Sequence, residues 1–268
     1  MFDERFEIID AHCHIYPEKI AQKAAASVGS FYDEPPMCGG TVAQMLELGA
    51  KAGIDRFVVQ SVATAPRQVA SINAFIADEV EKANGKLIGF GTLHPDSENQ
   101  ERDLSELVER GLLGVKLHPD IQGFRVDDER CLKIYELCER AGIPILMHTG
   151  DKRYDQSNPN RVAPLLERYP NLTLIGAHFG GWSIWEEASE ALAKYPNFIV
   201  DCSSSLGYLP LEASKRIIRR YGADRVLFGT DYPLHSPVKE MRLLRAMELT
   251  EDEYRAILSE NVKKLLNL

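Results

Sequence analysis

Residues 112–148 read LLGVKLHPDIQGFRVDDERCLKIYELCERAGIPILMH. A short run of mostly apolar residues, Leu112–Leu117, gives way to a helical stretch, Glu129–Arg140. That stretch exits at Gly142 into a second apolar run, Ile143–His148. Apolar residues in near-unbroken succession mark strands buried on both faces, as in parallel sheets covered by helices. The unit recurs along the chain. Further strands are expected at Glu7–Ala11, Arg56–Ser61, Lys86–Leu93, Leu172–Ala177, Phe198–Cys202 and Arg225–Thr230. Helices are expected at Val42–Lys51, Ala70–Lys82, Leu104–Arg110, Val162–Arg168, Trp185–Lys194 and Leu211–Arg220, with Gly or Pro at many exits. Eight such strands with no linker predict one (β/α)8 TIM barrel over residues 1–268. A doubly wound sheet fits less well, because no G-x-G-x-x-G follows the first strand. Thr250 and Glu253 can form a capping box for a last helix, Glu251 to about Leu266, that closes the barrel. Residues 16–40 exceed an ordinary connection and predict a helix and a mobile loop over the barrel mouth.

Composition narrows the function. The 268 residues are 44% hydrophobic and 26% charged, ordinary for a globular protein. The net charge of −9 argues against nucleic acid as the main partner. Five cysteines without a C-x-x-C pair give no disulfide or zinc framework. The acidic start MFDERFEIID does not resemble a secretion signal, and no apolar stretch is long enough to span a membrane. The expectation is a cytoplasmic protein acting on a small molecule, with a homodimer left open.

Barrel enzymes place their chemistry at the C-terminal ends of the strands. All seven histidines map there or just beyond: His12 and His14 after the first strand, His94, His118, His148 and His178 at later strand ends, and His235 beyond the eighth. Asp231 closes the eighth strand. In Asp10-Ala11-His12-Cys13-His14, alternate residues of an extended strand share a side about 6.6 Å apart, so two imidazoles can converge on one cation. Neutral imidazole is the commonest protein metal ligand, and a carboxylate compensates charge. Lys116 shares a strand face with His118; it can bind a substrate carboxylate or pair with an inward acid such as Asp201. Arg125, Arg153 and Tyr154 are loop candidates for anion recognition, and Trp182 and Phe124 for an apolar wall.

The segments Asp10–His14, Gly114–Pro119, His148–Gly150, Ala177–Gly181 and Gly229–Pro233 together resemble the amidohydrolase superfamily. They are most similar to its amidohydrolase-related branch, which includes aminocarboxymuconate-semialdehyde decarboxylase. The resemblance implies that His12, His14, His148 and Asp231 ligate a divalent metal, zinc foremost. One ion is expected, or two if Lys116 is carboxylated. It further implies that His178 and Asp231 are catalytic and that Lys116 and His118 contact a carboxylate-bearing substrate. The first expectation is hydrolysis of an amide, ester or lactone by metal-activated water; the alternative is decarboxylation of a carboxylated aromatic or enoic acid. A TatD-type nuclease fits less well, since that family carries a metal-binding glutamate where this chain has Lys116. A barrel that binds without catalysis fits least, given the intact ligand set.

Overall fold

The computed structural model describes residues 6–268. Eight parallel strands run in chain order: β1 (Ile9–His14), β2 (Arg56–Gln60), β3 (Leu87–Thr92), β4 (Gly114–Leu117), β5 (Ile145–Met147), β6 (Leu174–Gly176), β7 (Phe198–Asp201) and β8 (Val226–Leu227). With helices between successive strands this is a TIM barrel. The seam between the last strand and the first is drawn together by backbone bonds lying mostly beyond β8. Ala11 N donates to Phe228 O at 2.8 Å, His14 N to Tyr232 O at 2.6 Å, and Asp231 N to His12 O at 2.8 Å. β8 is shorter than the expected Arg225–Thr230 because side chains take over its ladder: Thr230 donates from N and Oγ1 to the Asp10 carboxylate. β1 is longer than expected and contains both His12 and His14, with a register shift between Asp10 and Cys13.

Alternation along each strand sorts side chains to two sides. Val58, Ile88, Phe90, Leu146, Ile175 and Leu227 pack together inside the barrel, where Val262 and Leu266 of the C-terminal helix plug the floor. Their neighbours Phe57, Val59, Leu87, Val115, Leu117, Ile145, Met147, Leu174 and Val226 pack outward under the helices. The same alternation turns Lys116 inward, between Val115 and Leu117. The final helix begins with the expected capping box of Thr250 and Glu253 and runs through a π-helical turn, Ala256–Glu260, to Leu266.

Residues 16–40 carry the expected helix, α1 (Ala21–Tyr32). The loop after it is pinned rather than loose: Met37 N and Cys38 N donate to Leu234 O and Pro233 O. Among the described residues no helix is long and apolar enough to cross a membrane, and all five cysteines are free and buried.

One buried acid outside the barrel rim sets a pH dependence. Glu240, in the helix Pro237–Arg245, is 1% exposed, and its Oε2 has no hydrogen-bond partner among the described residues. Burial raises its carboxyl to about 8. The folded value lies above the unfolded one, so the contribution to stability is full below about pH 4.5 and is lost as pH rises towards 8. Glu240→Gln is expected to gain about 2 kcal/mol over the parent at pH 9 and little at pH 5. Denaturant melts at the two pH values check this; an equal difference at both would contradict it.

Candidate active site

β1 builds the floor of the site. Asp10 is buried among bonds from His12 N, Thr230 N and Thr230 Oγ1, which lock the strand against the segment that carries Asp231. His12, fully buried, sets its Nδ1 2.8 Å from Asp201 Oδ2 at the end of β7. A carboxylate can only accept, so Nδ1 carries the proton and Nε2 keeps its lone pair. That Nε2 lies 3.2 Å from His14 Nε2, 3.4 Å from Asp231 Oδ1 and 3.1 Å from Lys116 Nζ. His14 Nε2 is 3.5 Å from the same Asp231 oxygen. Three potential donors, His12, His14 and Asp231, therefore converge on one small volume.

Gly229 makes the His12–Asp201 contact spatially feasible. A Cβ there would stand 2.8 Å from His12 Cβ and 3.4 Å from Asp201 Oδ1. His178 and Asp231 take left-handed φ values of 60° and 56°, as do Phe179 and Ser204 at 53° and 47°. Such backbone is uncommon outside glycine and gathers at functional sites. Asp201 holds the first of these turns by accepting from His178 N, and Ser204 Oγ fixes Asp231 Oδ2 at 2.6 Å. His178 Nδ1 lies 3.0 Å from Ser203 O, which can only accept, so Nδ1 carries the proton and Nε2 is left as an acceptor. Its ring stacks 5.3 Å from that of His12.

His148 and His118 stand on the opposite side of the floor, stacked at 4.1 Å. The Tyr32 hydroxyl, from the end of α1, lies 2.6 Å from His118 Nε2 and 3.3 Å from His148 Nδ1. His148 is placed with Asp120 and Asp151 rather than within the His12–His14–Asp231 group. Its Nε2 is buried facing Asp120 Oδ2 at 3.6 Å, beyond hydrogen-bond range, and has no hydrogen-bond partner among the described residues. His94 accepts from Asp96 N, away from this cluster, and His235 is buried near Glu34.

Electrostatics follow from burial. His12, His14, His118 and His148 are all held well below the ordinary imidazole value, by burial first and then by neighbouring cations and imidazoles. His178 falls to about 3 for the same reason. Neutral rings keep lone pairs for a cation. Burial lowers Lys116 to about 8 and raises Asp231 to about 7. Lys116 is 1% exposed, and among the described residues no carboxylate is close enough to form an ion pair with it. The expected alternative of a Lys116–Asp201 pair is thus not formed; Asp201 is engaged by His12 and Ser203.

Three loop expectations are corrected. Arg153 is spent on a bidentate pair with Asp151, with Nη2 at 2.8 Å from Oδ2, and on Phe31 O at 2.7 Å. Its guanidinium lies about 5 Å from the rings of Phe31, Tyr32, Tyr154 and Trp182, a clamp on the end of α1. Arg125 is exposed beside Asp127. Phe124 is part of the core beneath the helices, so it walls no pocket. Residues that the sequence did not single out are Tyr32, Asp120, Ser203 and Ser204. Only the run Ser203-Ser204-Ser205 carried a local sign, as polar residues at a strand exit.

A cavity of about 750 Å³ opens above these groups, with His12, His14, Lys116, His118, His148, His178 and Asp231 at its inner end.

Comparison with known proteins agrees with this architecture. The 2-amino-3-carboxymuconate-6-semialdehyde decarboxylase of Dictyostelium discoideum is 24% identical over 237 residues, covering 74% of this chain and 66% of that protein. About a third of that relative therefore lies outside the match. The structure of 5-carboxyvanillate decarboxylase from Sphingomonas paucimobilis is similar with a TM-score of 0.75 at 16% identity, over 98% of this chain and 99% of the other. A dihydroxybenzoic acid decarboxylase from a Polaromonas species, with bound manganese and 2-nitroresorcinol, superposes with a TM-score of 0.74 at 17% identity, over 98% and 97%. The amidohydrolase family model matches residues 9–268, essentially all of the described structure, and the chain belongs to the amidohydrolase family.

Proposed function

We propose that this protein is a metal-dependent decarboxylase of a carboxylated aromatic or enoic acid. The observation that carries the reading is Lys116: a buried ammonium group beside a three-donor cluster, without a carboxylate of its own, at the closed end of a cavity. A buried cation of this kind is costly unless something pairs with it, and a substrate carboxylate supplies that partner. The relatives named above are decarboxylases, which supports the same choice.

His12, His14 and Asp231 fit a divalent ion by chemistry and convergence; His148, whose Nε2 here faces Asp120 Oδ2 at 3.6 Å, is proposed as the fourth donor with its ring turned towards them. Two to three imidazoles and a carboxylate accept zinc or manganese. One ion is proposed. When bound there, the cation supplies Lewis acidity towards an anionic oxygen of the substrate. Lys116 holds the carboxylate that leaves, and His118 contacts the same end of the substrate. His178 offers the lone pair of Nε2 to a substrate hydroxyl. Asp231, at the edge of the cavity beside His12 and His14, is assigned to deliver the proton that replaces carbon dioxide on the substrate carbon. The step balances as one C–C bond broken, one C–H bond formed and carbon dioxide released.

Hydrolysis of an amide, ester or lactone, the first expectation from sequence, takes second place. Asp231 could accept a proton from water equally well, so the donor set does not favour either reaction, whereas the unpaired Lys116 favours a carboxylate substrate. Incubation of the manganese-loaded protein with a panel of hydroxylated benzoates and lactones separates the two. Release of carbon dioxide without ring opening supports decarboxylation; hydrolysis of a lactone with no carbon dioxide from any acid would overturn it.

Asp201 sets the tautomer of His12, and this yields a further expectation. In Asp201→Asn the amide can donate to Nδ1, which moves the ring proton to Nε2 and removes the lone pair that faces the donor cluster. Metal affinity is expected to fall about 10- to 100-fold. Titration against a competing chelator measures it, and unchanged affinity would show that Nε2 of His12 is not a ligand.

A further inference from the structure

The cavity is two-ended. Its Lys, His and Asp side chains come from the C-terminal ends of the strands, from Asp231 beyond β8 and from Asp120, just after β4. The rest of its lining includes Ile20, Ala24 and Val28, at the start of α1 and within it, and Ile72 and Phe75 of the helix Val69–Lys82. Ile20, Ala24 and Val28 recur at every fourth residue and so form one stripe of α1. The adjacent stripe, Ala21, Ala25 and Gly29, is buried, with Gly29 against Glu34 and Pro36 of the following loop.

The polar side chains of the outer wall offer little to a ligand, because most are already engaged. Ser30 Oγ donates to Ala26 O, Ser61 Oγ to Ile15 O and Ser71 Oγ to Gln68 O. Gln68 Oε1 accepts from Thr64 N, Thr64 Oγ1 and Ala65 N. No Lys, Arg, Asp or Glu of α1 or of the helix Val69–Lys82 lines the cavity. At about 750 Å³ the space lies in the upper half of the roughly 300–1,000 Å³ range of sites for drug-sized ligands, well beyond the needs of a single substituted ring.

We infer that the substrate is an acid with an extended apolar body: its carboxylate at Lys116 and its alkyl or aryl tail between Ile20, Ala24 and Val28 on one wall and Ile72 and Phe75 on the other. This rests on the proposed acid substrate for its inner end and on the outer walls for its tail. A second charged group at the far end is disfavoured, because nothing there would pair with it. The continuity of the apolar channel with the ionisable floor assigns it to the substrate rather than to a separate ligand.

Calorimetric binding of benzoate, 4-hexylbenzoate and neutral 4-hexylphenol to the purified protein, with and without manganese, tests the inference. Each methylene buried in the channel adds about fourfold in affinity, so 4-hexylbenzoate is expected to bind at least about 100-fold tighter than benzoate. In Ile20→Asp, at a half-exposed position where a charge is tolerated by the fold, that ratio is expected to drop at least tenfold. Equal binding of the two benzoates would overturn the tail while leaving the acid substrate in place. Binding of 4-hexylphenol as tight as 4-hexylbenzoate would support the tail and count against the carboxylate reading. Failure of all three to bind would overturn the inference.

Discussion

Lys116→Met is expected to cut kcat/KM by roughly 30- to several-thousand-fold and to leave a fold at least as stable as the parent. The ammonium group is buried at the C-terminal mouth of the barrel, 3.1 Å from His12 Nε2, and makes no ion pair among the described residues. Removing the protein half of a desolvated charge pair costs about 2–5 kcal/mol, which is roughly 30- to several-thousand-fold in kcat/KM. The stability effect has the opposite sign. Its direct partners on the adjacent strands are Thr92 of β3 and the apolar Leu146 of β5. A methionine of similar length fills the position without an uncompensated charge, and gains of about 1–4 kcal/mol have precedent for such replacements. Kinetics together with a denaturant melt check both halves. A variant that loses stability along with activity would make Lys116 a structural cation rather than a substrate ligand.

Asp231→Asn is the second large effect. Asparagine keeps the shape of the side chain and an oxygen directed towards His12 and His14, but it carries no transferable proton. If Asp231 delivers the proton that replaces carbon dioxide, kcat is expected to fall about 10²- to 10⁴-fold. The metal content is expected to drop much less, since His12, His14 and His148 remain. A loss of metal in proportion to the loss of rate would make Asp231 a ligand alone. The geometry argues for the double role: Oδ1 faces the two imidazoles while Oδ2 is fixed by Ser204, and left-handed backbone at Asp231 holds the carboxyl in place.

The barrel was legible in the sequence because buried parallel strands and intervening helices leave periodic signals. Their boundaries were less so. β8 ends early where Asp10, some 220 positions away, captures Thr230, an arrangement that no local pattern encodes. The inward turn of Lys116 follows from alternation on β4, and the convergence of His12 and His14 from their spacing on β1. What escaped was long-range. The Asp201–His12 contact links residues 189 apart, and Tyr32 at the end of α1 reaches His118 and His148, 86 and 116 positions away. Arg153 looked free as a loop arginine, yet Asp151, two residues before it, neutralises it. The grouping of His148 with Asp120 and Asp151 depends on ring orientation and could not be read from spacing at all.

The central claim is that His12, His14, His148 and Asp231 hold one divalent ion on the barrel rim. Elemental mass spectrometry of protein purified without added metal or chelator tests it most directly, with His12→Ala measured alongside. About one equivalent of manganese or zinc per chain, lost in the His12→Ala protein, is the predicted result. A metal-free parent that takes up no divalent ion when one is added would contradict it.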